Sequence, residues 1–442
     1  DPAIGLRAVG RCLEDASPEV FIGNGVTDAI GRFYGWSKKS VRKRIRMQSL
    51  FGPRQDRRVH TEPLVAHPDA EAAIIFTSGS TGTPKGAVYT HGNFAALLDV
   101  LTNTFGIRED EIDLPAFPIF LILDCLLGVT AIVPDMRFPS PARTDAQRVL
   151  EAANQFHVTN MFASPVALDR IAAYARRSGQ RLEIVERVIT AGAPAPARVL
   201  EAFASVLSDE ARFFGIYGAT EALIMSVVDQ RDVLAQARHQ MARGAGVCIG
   251  RPVNGACIRI LPITDEPVAT WEATRELPAN CVGEITIRGP HVTRQYAGRA
   301  DLNDLHKIAD TAGVVHRTGD LGYFDERGLL WYCGRKSHRV ATTAGTMFTE
   351  QVEGIFNAHP PVRRTALVGW RGEPVLWIEL EAPASSTDKD RIVAELRELA
   401  QADSQASQIE RFLFIKRFPT DVRHNSKIIR EKLAVMAQER LG

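Results

Sequence analysis

The sequence predicts an α/β fold: a large N-terminal domain of layered α/β subdomains plus a β-rich section, then a small α+β C-terminal domain. Three observations lead there. From Ile74 onward, short β-rich runs alternate with longer amphipathic stretches. After Gly250 the runs IRIL, GEITIRG and GLLWYCGR follow one another between turn residues, with no long helix. Beyond Arg335 come TALVGW, VLWIEL, a helical stretch near 388–402, RFLFIKRF and a basic terminal helix from about Ser426. That last unit has the size of a compact domain of about a hundred residues, so the boundary is expected between 1–334 and 335–442.

Taken in order, AAIIF reads as a strand, followed by a helix from about His91, the strand VTNMFAS, a helix over 165–177 and the strand IVERVITAG. These runs are apolar at nearly every position, as strands covered on both faces are. Each ends in Gly, Ser or Pro, so ligands are expected at the strand C-termini. The stretch 114–134 approaches membrane-spanning length but contains Pro118, Asp124 and Gly128 and lacks a flanking basic cluster, which predicts a buried strand and helix. A hairpin turn is expected at 325–328 and a helix N-cap at Ser385. Residues 51–70, rich in Arg, His and Pro, read as the least structured part. Position 1 is Asp and nothing like a signal peptide follows, so some N-terminal sequence is expected to be missing.

Among 442 residues, 45% are apolar and 24% charged, the composition of an ordinary globular protein. Fifty-three Lys and Arg against 52 Asp and Glu leave a net charge of +1, so no global field gathers nucleic acid or anionic membrane. Any phosphate must be gripped locally. The six cysteines are scattered without a CxxC pair, which argues for free thiols in a reducing cytoplasm.

The strongest local signal is Thr77-Ser78-Gly79-Ser80-Thr81-Gly82-Thr83-Pro84-Lys85-Gly86, with three glycines, five hydroxyls and one lysine in ten residues. Glycines let backbone amides approach anionic oxygens, while the hydroxyls and the ammonium add donors and charge. It is a phosphate cradle, but Pro84 before Lys85 and Gly86 after it exclude a Walker A loop.

This decapeptide resembles the phosphate loop of the adenylate-forming superfamily, and five further segments agree in the family's order. Thr190-Ala191-Gly192-Ala193-Pro194 resembles the loop bordering adenine. Tyr217-Gly218-Ala219-Thr220-Glu221 resembles the motif that lays an aromatic on the base and a carboxylate on Mg²⁺. Arg317-Thr318-Gly319-Asp320 resembles the segment whose Asp binds the ribose hydroxyls. Gly334-Arg335 resembles the start of the small, mobile domain, with Ser337 where relatives often carry Asp or Lys. Asn425-Ser426-Lys427-Ile428 resembles the segment that brings a lysine to the reacting carboxylate, although Asn425-Ser426 departs from the usual Ser-Gly. The resemblance implies ATP and Mg²⁺ as cofactors, with Lys427, Thr220 and Glu221 as catalytic residues and Glu221 on the metal. It also implies nucleotide binding by Thr77, Ser78, Gly79, Ser80, Thr81, Gly82, Lys85, Gly192, Ala193, Tyr217, Asp320 and Arg335.

Outside these motifs, PEVFIG, YTHGNF, DLPAFPIF, IVPDM, TNMFASPVALDRI and VRHNSKIIREKL resemble one branch, the β-lactone synthetases of bacterial long-chain olefin biosynthesis. That resemblance implies a long-chain 2-alkyl-3-hydroxy acid as substrate, a β-lactone, AMP and pyrophosphate as products, and assembly with other enzymes of the pathway. Leu121, Ile122, Leu123 and Met161 are candidate lining for the alkyl chain, with plain core as the alternative. An acyl-CoA synthetase or fatty acyl-AMP ligase is the second reading, and a silent nucleotide-binding protein the third.

Overall fold

The computed structural model describes residues 5–50, 65–77, 84–116, 118–134, 144–420 and 427–442. Its dominant element is a long mixed sheet. Four short strands, Thr130–Ala131, Ile112–Pro115, Asn160–Ala163 and Arg187–Thr190, pair in parallel and lead onto Arg212–Ala219. Arg212–Ala219 then turns back on Ala222–Asp229, and from there every pairing is antiparallel, through Val247–Pro252, Leu330–Arg335, Gly313–Phe324 and Gly283–Arg288 to Cys257–Leu261. The β-rich section expected as an appendage is therefore hydrogen-bonded edge to edge with the parallel strands.

Helices form where caps and periodicity agree. Pro165–Ser178 starts on the Ser164 side chain, carries Pro at its first turn and stops at Gly179, whose φ is 69°. It buries Leu168, Ile171, Ala172 and Ala175 against the parallel strands. His91–Phe105 opens with a reciprocal Thr90/Asn93 capping box. The Asn93 amide also donates to the carbonyls of Pro290 (2.7 Å) and Val292 (3.2 Å), which ties this helix to the loop ahead of Thr293.

The AAIIF run departs from expectation. It lies in Glu71–Thr77, which pairs antiparallel with Lys85–Thr90 in a hairpin of its own rather than in the parallel layer. The phosphate-loop sequence thus begins and ends on two strands paired with each other, with Thr77 opposite Lys85, rather than leading from a strand into a helix. Residues 51–64 lie outside the described residues, as do Asp135 and Met136 of the IVPDM run. The stretch 114–134 is a strand, a helix (Pro118–Leu127) and a short strand, but Ile122 and Leu126 are about half exposed, so only one face of that helix is buried. N-terminal to all this, helices Leu6–Ala16 and Gly25–Phe33 flank a parallel pair, Val20–Gly23 with Lys43–Arg46.

The C-terminal part builds a second sheet from Val362–Trp370, Glu373–Leu380 and Arg411–Ile415. Thr349–Asn357 and Ser386–Ala400 pack on one face through Phe356, Ile392 and Leu396. Arg430–Leu441 covers the other through Leu433 and Ala437. The terminal helix begins at Arg430 rather than near Ser426. Among the described residues, no helix is long and apolar enough to cross a membrane.

Candidate active site

The candidate residues gather where the long sheet changes from parallel to antiparallel. The turn joining Arg212–Ala219 to Ala222–Asp229 carries Thr220 and Glu221. Gly218 lets the two strands close on each other: a Cβ there would meet the Leu223 carbonyl oxygen at 2.0 Å. The Thr220 carbonyl accepts from the Tyr89 hydroxyl at 2.6 Å, which anchors the turn to the phosphate-loop hairpin. The Glu221 carbonyl accepts from the Thr293 amide at 2.9 Å and its hydroxyl at 3.1 Å. With its backbone held, the Glu221 carboxylate accepts from the Tyr296 hydroxyl at 2.5 Å through Oε1.

A second group forms beside it. Asp320 and Arg335 sit opposite each other on paired strands, with Arg335 Nε 3.0 Å from Asp320 Oδ1. The Tyr217 hydroxyl donates to Asp320 Oδ2 at 2.8 Å, and the Thr318 hydroxyl accepts from the Asp320 amide at 3.0 Å. Burial raises the Asp320 carboxyl, against the opposing pull of Arg335, the Tyr217 hydrogen bond and the charge of Lys427. Lys427 thus acts on the same carboxylate as Arg335. Beneath this group Arg317, fully buried, holds Glu284 at 2.6 Å and donates to the carbonyls of Thr264 and Glu266 at 2.6 and 2.7 Å. Lys336 reaches the same Glu284 at 3.2 Å, so the first residues after Arg335 are fastened to the large sheet.

Lys427 is carried by a segment pinned from both sides. The Ile429 amide donates to the Pro419 carbonyl at 2.8 Å. Arg430 clamps Glu353 with both guanidinium nitrogens, at 2.8 and 3.0 Å, and Glu353 also accepts from the Leu367 amide at 2.8 Å. The helix bearing Glu353, Thr349–Asn357, packs on Leu330–Arg335. Gly334 permits that approach, because a Cβ there would meet Thr349 Oγ1 at 2.2 Å and its φ is 123°. A chain of contacts therefore runs from the Asp320 strands to the lysine segment.

Of the sequence-predicted site, the fold brings together Thr77, Lys85, Tyr217, Thr220, Glu221, Asp320, Arg335 and Lys427 around the strand switch and the hairpin beside it. Thr77 and Lys85 face each other across that pair of strands. Thr190 ends a parallel strand opposite Gly215, with a buried hydroxyl that has no hydrogen-bond partner, and Gly192 (φ 95°) and Ala193 follow in the loop. Ser78, Gly79, Ser80, Thr81 and Gly82 lie outside the described residues. Of the alkyl-chain candidates, Leu123 and Met161 line a small cavity of about 20 Å³ with Phe120 and Phe162, whereas Ile122 points outward. Ile122 is turned about 100° from Leu123 around the helix axis, which takes it from the cavity to the exposed face.

Comparison with known proteins decides what family builds such a site. The sequence pattern of the family described as "AMP-binding enzyme" matches residues 1–297. The chain belongs to the AMP-binding enzymes. An olefin beta-lactone synthetase of Xanthomonas campestris is 39% identical over 99% of this chain and 81% of its own length. One of Stenotrophomonas maltophilia is 40% identical over 100% of this chain and 82% of its own. Among solved AMP-binding enzymes, the o-succinylbenzoate coenzyme A synthetase of Bacillus subtilis, in complex with ATP and magnesium ion, superposes with a TM-score of 0.74 at 22% identity, covering 98% of this chain and 82% of that one. ATP-bound MatB of Rhodopseudomonas palustris gives 0.76 at 18% identity, over 99% and 82%. These structural likenesses bear out the α/β adenylate-forming architecture.

Several site neighbours carried no signal in the sequence. Tyr296, His306, Lys307 and Glu353 stand in no motif read there, and only folding places them against Glu221, Lys85 and, through Arg430, the Lys427 segment. Burial pushes the Lys307 ammonium down to about pH 7 and, together with Lys85, the His306 imidazole down to about 3. His306 lies 2.9 Å from the Lys85 ammonium, and Lys307 lies 5.3 Å from the centre of the Tyr296 ring.

Proposed function

We propose that this AMP-binding enzyme activates a long-chain 2-alkyl-3-hydroxy acid with ATP and closes it to a β-lactone. The observation that carries the reading is the 39–40% identity, over essentially the whole chain, to olefin beta-lactone synthetases. The geometry supports it. ATP is the substrate whose ribose hydroxyls suit Asp320, an acceptor held in place by Arg335 and Tyr217. The Thr190 hydroxyl and the Gly192-Ala193 loop border the base, and the phosphates lie toward the paired residues Thr77 and Lys85.

Glu221 suits Mg²⁺: it is a single buried carboxylate with one oxygen occupied by Tyr296, and Mg²⁺ commonly takes one or two carboxylates and completes its shell with phosphate oxygens and water. When bound there, Mg²⁺ supplies positive charge to the phosphates. The protein's own contribution is to place donors where charge develops. Lys427, on the Asp320 side, offsets the repulsion between an attacking carboxylate and the α-phosphate; Lys85 does so at the leaving pyrophosphate. The carboxylate oxygen bonds to the α-phosphorus as the bond to pyrophosphate breaks. The substrate's 3-hydroxyl oxygen then bonds to the acyl carbon, the acyl–AMP bond breaks, and AMP and the hydroxyl proton leave. The second step forms the ring from one molecule, so it requires no further acceptor such as coenzyme A.

In this reading 1–334 and 335–442 are the two domains, joined at Arg335 and Lys336, and the enzyme works in the cytoplasm beside enzymes that supply and consume its hydrophobic intermediates. The test is incubation with ATP, Mg²⁺ and a 3-hydroxy acid, with and without coenzyme A. A β-lactone and AMP formed in both supports the proposal. A thioester formed only with coenzyme A replaces it with an acyl-CoA synthetase.

A further inference from the structure

Lys85 is expected to reach for phosphate, yet in the structure its ammonium is already engaged. It lies 2.9 Å from Nε2 of His306, a residue 221 positions further along the chain, and 5.8 Å from the centre of the Tyr296 ring. His306 closes the helix Ala300–His306. An ammonium can only donate, so Nε2 is the acceptor in this contact and, in the neutral ring, the proton sits on Nδ1. Burial and the nearby ammonium keep the imidazole neutral.

The backbone that carries the ring is held at the carbonyl preceding it and at its own carbonyl. His316 Nδ1 stands 3.2 Å from the His306 carbonyl, and Arg317 donates to the Leu305 carbonyl at 3.2 Å. Lys307, the next residue, turns the other way, donating to the Thr293 carbonyl at 2.5 Å and lying 5.3 Å from the same Tyr296 ring. The Tyr296 phenol that holds Glu221 therefore lies against two ammonium groups. Arg317 is itself anchored to Glu284, so the His306 acceptor is referenced to the rigid long sheet.

We propose that His306 is a positioning residue of the phosphate site: its neutral Nε2 parks the Lys85 ammonium beside Glu221 in the nucleotide-free enzyme and yields it to an oxygen of the incoming triphosphate. This rests on the adenylation reading given above. A lysine side chain is long and loses rotamer freedom when fixed, so a partner that orders it beforehand lowers the cost of nucleotide binding. The partner must also let go. A neutral nitrogen acceptor is weaker than a phosphate oxygen for an ammonium, because the second interaction is between opposite charges. A carboxylate at the same position would hold Lys85 and repel the phosphates.

Three variants test this, His306→Phe, His306→Gln and His306→Glu, read by pyrophosphate–ATP exchange and by equilibrium binding of ATP, with thermal melting alongside. Phe keeps a ring without an acceptor and is expected to raise KM and Kd for ATP about 5- to 20-fold, the loss of one charge-assisted hydrogen bond, with kcat and the KM for the acid little changed. Gln restores an acceptor and is expected to fall within about threefold of wild type. Glu is expected to bind ATP no better than Phe. Wild-type ATP affinity in His306→Phe overturns the proposal, and so does a Gln variant as impaired as Phe, which would mean that the ring's shape is what matters. If wild-type protein shows no exchange, the adenylation reading fails. The ATP-binding arm still decides the role of His306.

Discussion

In the antiparallel half of the long sheet, Asp320 meets Arg335 at 3.0 Å, and Glu284 meets Arg317 at 2.6 Å and Lys336 at 3.2 Å. In the parallel half, Glu111 is likewise paired, with Arg187 at 2.8 Å, but two residues on, Asp113 faces Asp124. Burial raises both of those carboxyls, Asp113 well above its usual 3.8 with Asp124 adding to the effect, and Asp124 to about 6. One Asp124 oxygen has no hydrogen-bond partner. The contrast separates two uses of buried charge. Around Asp320 and Glu284 each carboxylate orients a cation that continues toward the active site. Asp113 and Asp124 orient nothing of that kind, and their repulsion is relieved by sharing a proton.

Breaking the antiparallel network should cost most. Glu284→Leu leaves Arg317 and Lys336 buried without their anion, and unfolding by denaturant should show a loss of about 3–5 kcal/mol. A midpoint equal to wild type would erase the distinction between the halves. Next comes the cation this network positions indirectly. Lys427→Ala should slow adenylation about 10²- to 10³-fold in a pyrophosphate-exchange assay, the effect of deleting one preorganised donor, with little change in melting temperature.

The parallel half makes a prediction of the opposite sign. Asp113 and Asp124 hold protons in the folded state that the unfolded chain has already released, so their stabilising contribution is complete below about pH 4 and is lost as pH rises through about 6. Asp124→Asn should therefore gain about 1–3 kcal/mol relative to wild type at pH 8 and little or nothing at pH 4, measured as melting curves across that range. A pH-independent difference would remove the shared proton from the account. The smallest effect belongs to the exposed face of the same helix: Ile122→Ser should change stability by less than about 0.5 kcal/mol and leave the preferred alkyl length unaltered in product analysis.

How far the sequence could be read differs element by element. The helices His91–Phe105 and Pro165–Ser178 were legible because Thr90, Ser164 and Pro165 are local signals that act within one turn. The 325–328 hairpin turn was legible for the same reason: Gly328 adopts a φ of 73° and its amide donates to the Asp325 carbonyl at 2.9 Å. The pairing of Glu71–Thr77 with Lys85–Thr90 was not, since an apolar run does not reveal its partner. Ile122 was grouped with Leu121 and Leu123 because composition does not tell which side of a helix faces the sheet.

The sequence by itself determined the kind of chemistry: a glycine- and hydroxyl-rich turn, an aromatic five residues before a carboxylate counted inclusively, an Arg-Thr-Gly-Asp segment and a late lysine are local patterns whose spacing survives without any coordinates. It also determined where the helices His91–Phe105 and Pro165–Ser178 begin, since caps act over three or four residues. Only the tertiary structure decided which groups tune those residues. Tyr296 on Glu221, His306 on Lys85, and Arg430 clamped by Glu353 join positions far apart in the chain. The physical reason is that a hydrogen bond or ion pair takes its strength from distance, angle and burial, and each of these exists only after the long sheet has turned from parallel to antiparallel and drawn its distant strands side by side.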